Sequence, residues 1–182
     1  DVVFVLNQYF KAMGEAVEGA GGKLDKFIGD GVMALFGIDE GPDEGCRRAL
    51  DAARRMAAAL VQLNDALKMD LDQKLRIGIG IHCGPAIVGE MGHGKAMHLT
   101  AVGDAVNTAS RLESATKDFG AELVISAEVG ERAGASAMAA MAWQRETVAL
   151  RGKSETIEVL VAERIAPAPA GPAKGMIAAP AP

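Results

Sequence analysis

The sequence DKFIGDG (residues 25–31) sets Asp30 between two glycines, and short apolar runs at 23–28 and 32–36 flank this turn. Glycine and aspartate tolerate the backbone angles of tight turns, and short apolar runs bounded by such residues are typical of strands. The stretch therefore predicts a β-hairpin with a carboxylate at its tip. Turns of this composition occur in many hairpins, so the motif alone is weak evidence for a metal site.

A second stretch, VGDAVNTASRLE (residues 102–113), predicts a helix that Asp104 caps and that Gly120 closes. Asn107 and Arg111 lie four residues apart, so their side chains project side by side from this helix. An amide and a guanidinium suit a ribose and a phosphate. With the lysine and the carboxylate of the first stretch, they form a set of groups typical of nucleotide chemistry.

The remaining sequence alternates helical and extended patterns. Apolar residues recur at helical spacing near the start and in a long alanine-rich stretch, which predicts two further helices. Period-two alternation and short apolar runs predict strands, with a closing hairpin near the end. Helices that alternate with strands and hairpins indicate an α+β or α/β layer fold with helices packed on a sheet. The predicted helices cover 2–17, 44–69 and 104–119, and the predicted strands cover 23–28, 32–36, 75–83, 86–88, 98–102, 122–125, 142–150 and 156–161.

The composition indicates one acidic domain. The chain has 182 residues, 49% of them hydrophobic, which is enough for one core and short for two domains. A balance of 19 basic and 24 acidic residues gives a net charge of −5 without a basic stripe, which argues against a nucleic-acid partner. Cys46 and Cys83 lack a C-x-x-C spacing and are interpreted as reduced thiols of a cytoplasmic domain.

The end of the chain differs in composition from the rest. From Ala166 it is rich in alanine, proline and glycine, which predicts a disordered tail over 166–182 after a domain over 1–165. The longest apolar stretch, 133–143, is interrupted by Gly134 and Ser136 and is shorter than the roughly 18 residues of a membrane helix. The sequence therefore predicts no membrane span within these residues.

The two stretches, in this order, resemble the catalytic domain of class III nucleotide cyclases, and the resemblance extends from residue 1 to about residue 163. It implies a ferredoxin-like cyclase fold of the α+β class, with an antiparallel-rich sheet and helices packed on it. It also implies an adenylate cyclase, a phosphorus–oxygen lyase that converts ATP to 3′,5′-cyclic AMP and pyrophosphate by in-line attack of the ribose 3′-hydroxyl. Two divalent ions per site, Mg²⁺ or Mn²⁺, assist this reaction in the family.

Asp30 matches the second of two aspartates that bind these metals in the family. The first lies in a strand of the pattern F-x-D-I-x-G-F-T, which precedes the first helix in relatives and does not occur in this sequence. We therefore expect a domain that is incomplete at its N-terminus, with its first strand missing and an exposed gap at a sheet edge. By itself, this fragment is expected to be inactive.

Lys26 and Thr100 match the two positions that read the purine in the family. A lysine can donate to N1 of adenine, which accepts, but not to the N1–H of guanine. The threonine hydroxyl can accept from the adenine 6-amino group, so the pair indicates ATP. Considered alone, Lys26 would be a solvated strand lysine and Thr100 would reflect strand propensity.

The resemblance also assigns residues to the sugar and the phosphates. Asn107 would orient the ribose, and Arg111 would contact the α-phosphate, where charge builds in the transition state. Arg151 and Lys153 flank Gly152 in the closing hairpin, where a basic residue of relatives contacts the β- and γ-phosphates. Arg151 is favoured slightly over Lys153, and a plain charged turn is the alternative for both.

A site divided between subunits is a further implication of the resemblance. In the family one subunit supplies the metal carboxylates, and the other supplies the purine-reading pair and the Asn/Arg pair. This chain contains both sets, which suits a homodimer with two equivalent interfacial sites. The parent protein could carry upstream sensory or membrane domains, with this domain facing the cytosol.

Two other functions stay open. The chain could be a guanylate cyclase, or a non-catalytic cyclase-like module for dimerisation or regulation. The module would be supported if the segment upstream of this sequence lacked its aspartate. A diguanylate cyclase or a polymerase palm fits less well, because the turn lacks their Gly-Gly-Asp/Glu-Glu-Phe motif and reads Gly29-Asp30-Gly31-Val32.

Overall fold

The computed structural model describes residues 2–150, 152 and 154–169, which alternate helices with strands. In this part of the chain, every helix is too short or too polar for a membrane span. The helices are α1 (Val2–Gly19), α2 (Pro42–Ala66), α3 (Asp104–Phe119), α4 (Ala127–Ala133) and α5 (Ala135–Met138), with a 3₁₀ turn at Gly94–Ala96. The strands are β1 (Lys23–Ile28), β2 (Gly31–Leu35), β3 (Ile79–Ile81), β4 (Ile87–Met91), β5 (His98–Val102), β6 (Leu123–Ser126), β7 (Gln144–Ala149) and β8 (Thr156–Ala162).

The described strands belong to three sheets. The largest has the order β3-β6-β8-β7, in which β3 and β6 are parallel and the other neighbours are antiparallel. β1 pairs with β2, and β4 pairs with β5, each as an antiparallel two-stranded sheet. The arrangement is therefore α+β and antiparallel-rich, as the sequence predicts.

The core lies on both faces of β6, whose four residues are all buried. Leu123 and Ile125 pack with Leu50 of α2 on one face. Val124 packs with Leu112 of α3 on the other face. Since side chains alternate along a strand, β6 contributes to the cores on both faces of the sheet.

Two glycines in and before β3 bring α3 close to the sheet. A Cβ on Gly80 would lie 2.3 Å from the backbone nitrogen of Glu113 and 2.5 Å from the carbonyl oxygen of Ala109. A Cβ on Gly78 would lie 2.3 Å from Oγ1 of Thr116. Real side chains do not approach their neighbours this closely, so the alternating glycines allow α3 to rest directly on the strand.

The long strand predicted over 75–83 is wrong in its length, since β3 contains three residues. At the start of this segment, the side chain of Asn64 of α2 takes the place of a neighbouring strand. Its amide donates to the carbonyl of Leu75 at 3.0 Å and accepts from the backbone N–H of Leu75 at 2.7 Å. These bonds satisfy the backbone at the start of the segment without a neighbouring strand. The sequence pattern also misses α4 and α5, because helices of 7 and 4 residues are too short to show a clear periodicity.

Asp104 is the first residue of α3 and not its cap, which corrects the prediction. The N-cap residue is Gly103, with a φ of 139°. A φ in this region favours glycine, so the sharp entry into α3 depends on Gly103. The predicted end of the helix is confirmed, since Gly120 adopts the left-handed conformation with a φ of 60°.

β3 lies at an edge of the largest sheet, where β6 is its only partner among the described strands. The β1–β2 hairpin remains a sheet of its own. The missing first strand and the gap beside it stay predictions.

The segment after β8 continues along α2. Nε of Arg54 donates to the carbonyl of Ala166 at 3.0 Å, and the backbone N–H of Ala168 donates to the carbonyl of Arg54 at 3.0 Å. The first residues of the Ala/Pro-rich segment are therefore bonded to the domain. Residues 170–182 lie outside the described part of the chain, so the disordered tail and its boundary stay predictions.

Candidate active site

Asp30 lies at the tip of the β1–β2 hairpin, beside Gly29, which has a φ of 61°. Its carboxylate is exposed. Burial of the Tyr9 phenol, followed by the charges of Asp30 and Glu113, raises the pKa of Tyr9. Both carboxylates are close enough to act on this phenol, although Asp30 belongs to the hairpin and Glu113 to α3.

A divalent cation such as Mg²⁺ prefers several oxygen ligands. Asp30 supplies an accessible carboxylate of the suitable type. Over residues 2–150, 152 and 154–169, however, no cluster of three or more acidic, histidine or cysteine side chains could hold a metal ion. Asp30 can thus be one ligand of a metal site and cannot form such a site alone.

Lys26 and Thr100 meet at a third side chain, that of Asp25. The pairing of β1 with β2 changes register between Leu24 and Lys26, so Asp25 lies at a β-bulge. The hydroxyl of Thr100 donates to Oδ2 of Asp25 at 2.6 Å, and Oδ1 lies 3.8 Å from Nζ of Lys26. The structure therefore brings the two predicted base-reading residues together around one carboxylate.

These side chains differ in their exposure. The side chain of Lys26 is 41% exposed, whereas that of Asp25 is completely buried. Thr100 is 4% exposed. In this conformation a ligand has access to the ammonium of Lys26 but not to the hydroxyl of Thr100.

Asn107 and Arg111 line one cleft of about 690 Å³ between α3 and the end of β7. Asn107 is exposed and Arg111 is half-buried. Nε of Arg111 donates to the carbonyl of Ala149 at 3.3 Å, and its Nη1 lies 3.6 Å from Oδ2 of Asp118. The structure thus places an amide and a partly restrained guanidinium side by side in one cleft.

The same cleft reaches the loop between β7 and β8. Ala149 and Leu150 line it. Arg151 and Lys153, which are predicted to contact the triphosphate, follow in the sequence. Both lie outside the described residues, so their role stays a prediction.

A second cleft, of about 550 Å³, adjoins the start of α3. It shares Asp104 and Thr108 with the first cleft and adds His82. Nδ1 of His82 lies 2.9 Å from the hydroxyl of Ser126. Burial lowers the pKa of His82, and the charge of Glu128 offsets part of this shift. The neutral imidazole is therefore favoured at neutral pH.

Residues 1–163 match the family model described as the adenylate and guanylate cyclase catalytic domain. The chain belongs to this family. A similar protein, an adenylate cyclase of Anabaena cylindrica, is 37% identical to the cyclase domain over 158 residues. The matched region is 85% of this chain and 30% of that protein, so the chain spans less than a third of this relative's length.

Solved structures of the family have the fold of this cyclase domain. The guanylyl cyclase Cya2 matches with a TM-score of 0.76 and 31% identity over 88% of this chain and 79% of that chain. The adenylyl cyclase CyaB from P. aeruginosa matches with a TM-score of 0.75 and 27% identity over 88% and 81%. The predicted class III cyclase fold is confirmed. One neighbour is named for guanylyl and the other for adenylyl activity, so these similarities do not distinguish ATP from GTP as the substrate.

Asp25 is the residue of the cyclase domain that sequence reasoning misses. Its contacts with Thr100 and Lys26 depend on the bulge in β1, and the bulge becomes visible only in the strand pairing. The sequence does contain a signal, because Asp25 and Lys26 are consecutive polar residues in a short strand. Such a break in alternation is typical of a bulge that changes side-chain direction.

Proposed function

We propose that this cyclase domain converts ATP to 3′,5′-cyclic AMP and pyrophosphate. The observation that carries the proposal is that Asn107 and Arg111 line one cleft in a chain of this family. The grouping of Lys26 and Thr100 around Asp25 supports adenine as the base. The similarity to an adenylate cyclase of Anabaena cylindrica is consistent with this substrate.

Arg111 would stabilise the α-phosphate as negative charge builds on it. A guanidinium carries five N–H donors in a fixed fork. The carbonyl of Ala149 and the carboxylate of Asp118 occupy part of this fork, and the remaining donors can face a phosphate in the cleft. A donor that is oriented before the reaction stabilises the transition state without a further cost of reorganisation.

Asn107 would position the ribose. Its amide lies one helical turn before Arg111, so it can contact the sugar while the guanidinium contacts the phosphate. The 3′-hydroxyl loses its proton to water as its oxygen bonds to the α-phosphorus and the bond to pyrophosphate breaks. The attacking and leaving oxygens must lie in line. Holding the hydroxyl in this geometry is the main contribution expected of an amide.

Lys26 and Thr100 would select the base. Lys26 would donate to N1 of adenine, and Thr100 would accept from the 6-amino group. Guanine presents the opposite pattern at both positions, so the pair favours ATP over GTP. Since Thr100 is buried in this conformation, the contact requires the pocket to open when the nucleotide binds.

The reaction would require Mg²⁺ or Mn²⁺, with two ions per site. Asp30 would be one ligand, and the other aspartate, the first of the family pair, would come from sequence outside this chain. When bound, the ions would supply positive charge that lowers the pKa of the 3′-hydroxyl and stabilises the leaving group. Arg151 or Lys153 would contact the β- and γ-phosphates.

The site would be shared across a homodimer, as C2 symmetry forms both copies at once. One chain would supply Asp30, and its partner would supply the base-reading pair with the Asn/Arg pair. The domain over 1–165 would face the cytosol and act in cyclic AMP signalling. Upstream sensory or membrane domains of the parent protein could regulate it.

Arg111→Ala in the full-length protein tests this proposal. Cyclic AMP and cyclic GMP would be measured from ATP and GTP, with Mg²⁺ and with Mn²⁺. We expect cyclic AMP from the wild type and a kcat lower by about 10²–10³ in the variant, because a transition-state charge partner is lost. Arg55→Ala is the matched control, since Arg55 lies on α2 and pairs with Asp51 at 2.7 Å, away from the cleft.

Three outcomes would contradict parts of the proposal. Wild-type turnover in Arg111→Ala would remove the catalytic role of that residue. Cyclic GMP as the main product would make the domain a guanylate cyclase. A full-length protein that cyclises neither nucleotide would favour the non-catalytic module.

A further inference from the structure

Asp25 is a buried charged residue with incomplete partners. Its side chain is completely buried, and within the described part of the chain its Oδ1 accepts no hydrogen bond. Its Oδ2 accepts from the hydroxyl of Thr100 at 2.6 Å and from the backbone N–H of Ala101 at 3.4 Å. A buried carboxylate with one unsatisfied oxygen costs free energy, which argues for a role beyond packing.

The backbone of β1 directs this carboxylate inward. Leu24 pairs with Ala34 and Lys26 pairs with Met33, so Asp25 is the extra residue of a β-bulge. Adjacent strand residues normally point to opposite faces, and a bulge alters this alternation. The bulge lets Asp25 reach β5 while the ammonium of Lys26 stays 3.8 Å from Oδ1.

The contact with Asp25 determines whether the hydroxyl of Thr100 can donate a hydrogen bond to a ligand. A free hydroxyl can rotate and serve as a donor or as an acceptor, whereas an ionised carboxylate only accepts. Oγ1 of Thr100 lies 2.6 Å from Oδ2 of Asp25, so Thr100 donates its hydroxyl hydrogen to this carboxylate. Because Thr100 is buried, water does not compete for this hydrogen. The oxygen retains acceptor capacity only.

We propose that Asp25 is a positioning residue that makes the base-reading pair selective for a 6-amino purine. With its hydrogen committed to Asp25, Thr100 can accept from the amino group of adenine but cannot donate to the 6-oxo group of guanine. Lys26, restrained beside Oδ1, donates to N1. This inference rests on the base-reading role proposed above for Lys26 and Thr100.

The test compares two substrates of the full-length protein, ATP and inosine 5′-triphosphate, which carries a 6-oxo group in place of the 6-amino group. The measured quantity is the ratio of the kcat/KM for ATP to the kcat/KM for inosine 5′-triphosphate. Asp25→Leu frees the hydroxyl of Thr100 to donate to the 6-oxo group and should lower this ratio about tenfold, the effect of one added hydrogen bond. Thr100→Val removes both the acceptor for the amino group and the repulsion of the 6-oxo group, so it should also lower the ratio. The double variant should match Thr100→Val, because Asp25 acts only through that hydroxyl.

A surface carboxylate provides the matched control. Asp39 is exposed and pairs with Lys23 of β1 at 3.0 Å. Asp39→Leu makes the same chemical change beside the same hairpin, and the ratio should stay at its wild-type value.

A second measurement needs no change at Asp25. Inosine 5′-triphosphate carries a 6-oxo group, whose lone pairs repel those of a hydroxyl that cannot donate. Thr100→Val should therefore raise kcat/KM for this substrate several-fold. If the hydroxyl of Thr100 were free to donate, the same substitution would lower it.

The outcomes separate this inference from the proposed function. A wild-type ratio in Asp25→Leu with a lowered ratio in Thr100→Val would overturn the role of Asp25 and leave the proposed function intact. Unchanged ratios in both variants would overturn the base-reading role of Thr100 itself. Equal losses for both substrates in Asp25→Leu would reduce Asp25 to a structural residue. If Asp25→Leu is not recovered folded, Thr100→Val decides. A fall in its kcat/KM for inosine 5′-triphosphate relative to wild type overturns the proposal.

Discussion

At the scale of single residues, His82 makes the stability of the fold depend on pH. It follows β3, and its partner Ser126 is 1% exposed. Burial lowers the pKa of His82, and the charge of Glu128 offsets part of the shift. The unfolded chain therefore binds this proton at a higher pH than the folded chain does. The stability contributed by neutral His82 is fully present above a pH of about 6.5 and decreases as the pH falls below it.

We expect His82→Asn to reduce the loss of stability on acidification, because asparagine can still face Ser126 but does not titrate. The free energy of unfolding would be measured by urea titration at about pH 7.5 and about pH 5.5. The difference between wild type and variant should be at most about 1.4 kcal/mol per pH unit for one proton. His93→Asn, at an exposed position, should keep the wild-type dependence. Identical pH dependences for wild type and His82→Asn would refute the coupling.

Part of the candidate site can be predicted residue by residue. Asn107 and Arg111 are predictable as neighbours, because the helical repeat alone brings residues four apart together. The contact of Asp25 with Thr100 is not predictable, because a bulge changes the face of the sheet toward which a strand residue points. The burial of Thr100 also depends on a contact with a distant hairpin, which no local pattern encodes.

At the scale of elements, the position of α3 on β3 determines where the cleft residues lie. We expect Gly80→Ala to push α3 away from the strand, since the new Cβ would meet helix backbone at 2.3 Å. Stability should decrease by about 1–3 kcal/mol, as in other overpacked cores, and kcat should fall with it. Gly89→Ala in β4 is the control, because a Cβ there has no neighbour within 4 Å. If the free energy of unfolding in urea were the same for Gly80→Ala and wild type, α3 would accommodate the added methyl group without loss of stability.

Elements with local end signals are predictable, and elements defined by distant partners are not. β5 and α3 have their predicted bounds, 98–102 and 104–119, because glycines mark the helix at both ends. The predicted strand 75–83 does not start at Leu75, where the amide of Asn64, on another element, takes both backbone groups. The alternation of the sequence contains no information about that amide.

At the scale of the whole molecule, a shared site predicts complementation between inactive variants. Full-length Asp30→Ala and Arg111→Ala should each be nearly inactive. After complete subunit exchange, heterodimers make up about half of all dimers, and each has one intact site. Mixing the two variants should therefore restore roughly a quarter of wild-type cyclic AMP formation.

A matched mixture gives the control for this experiment. Asn107 and Arg111 lie on the same helix, so a heterodimer of Asn107→Ala and Arg111→Ala has one defect in each site and should stay inactive. Absence of recovery in the first mixture, despite demonstrated exchange, would place the whole site within one chain.

The division into three sheets also determines how much of the molecule must move when a nucleotide enters. Lys26 and Thr100 belong to the two-stranded sheets, whereas the core surrounds β6 in the four-stranded sheet. Two-stranded sheets are marginally stable by themselves, so their hydrogen bonds break at a lower free energy than those of a core strand. In the proposed mechanism, access to Thr100 would therefore need only a local opening of the two two-stranded sheets, and the core would stay folded while a base enters.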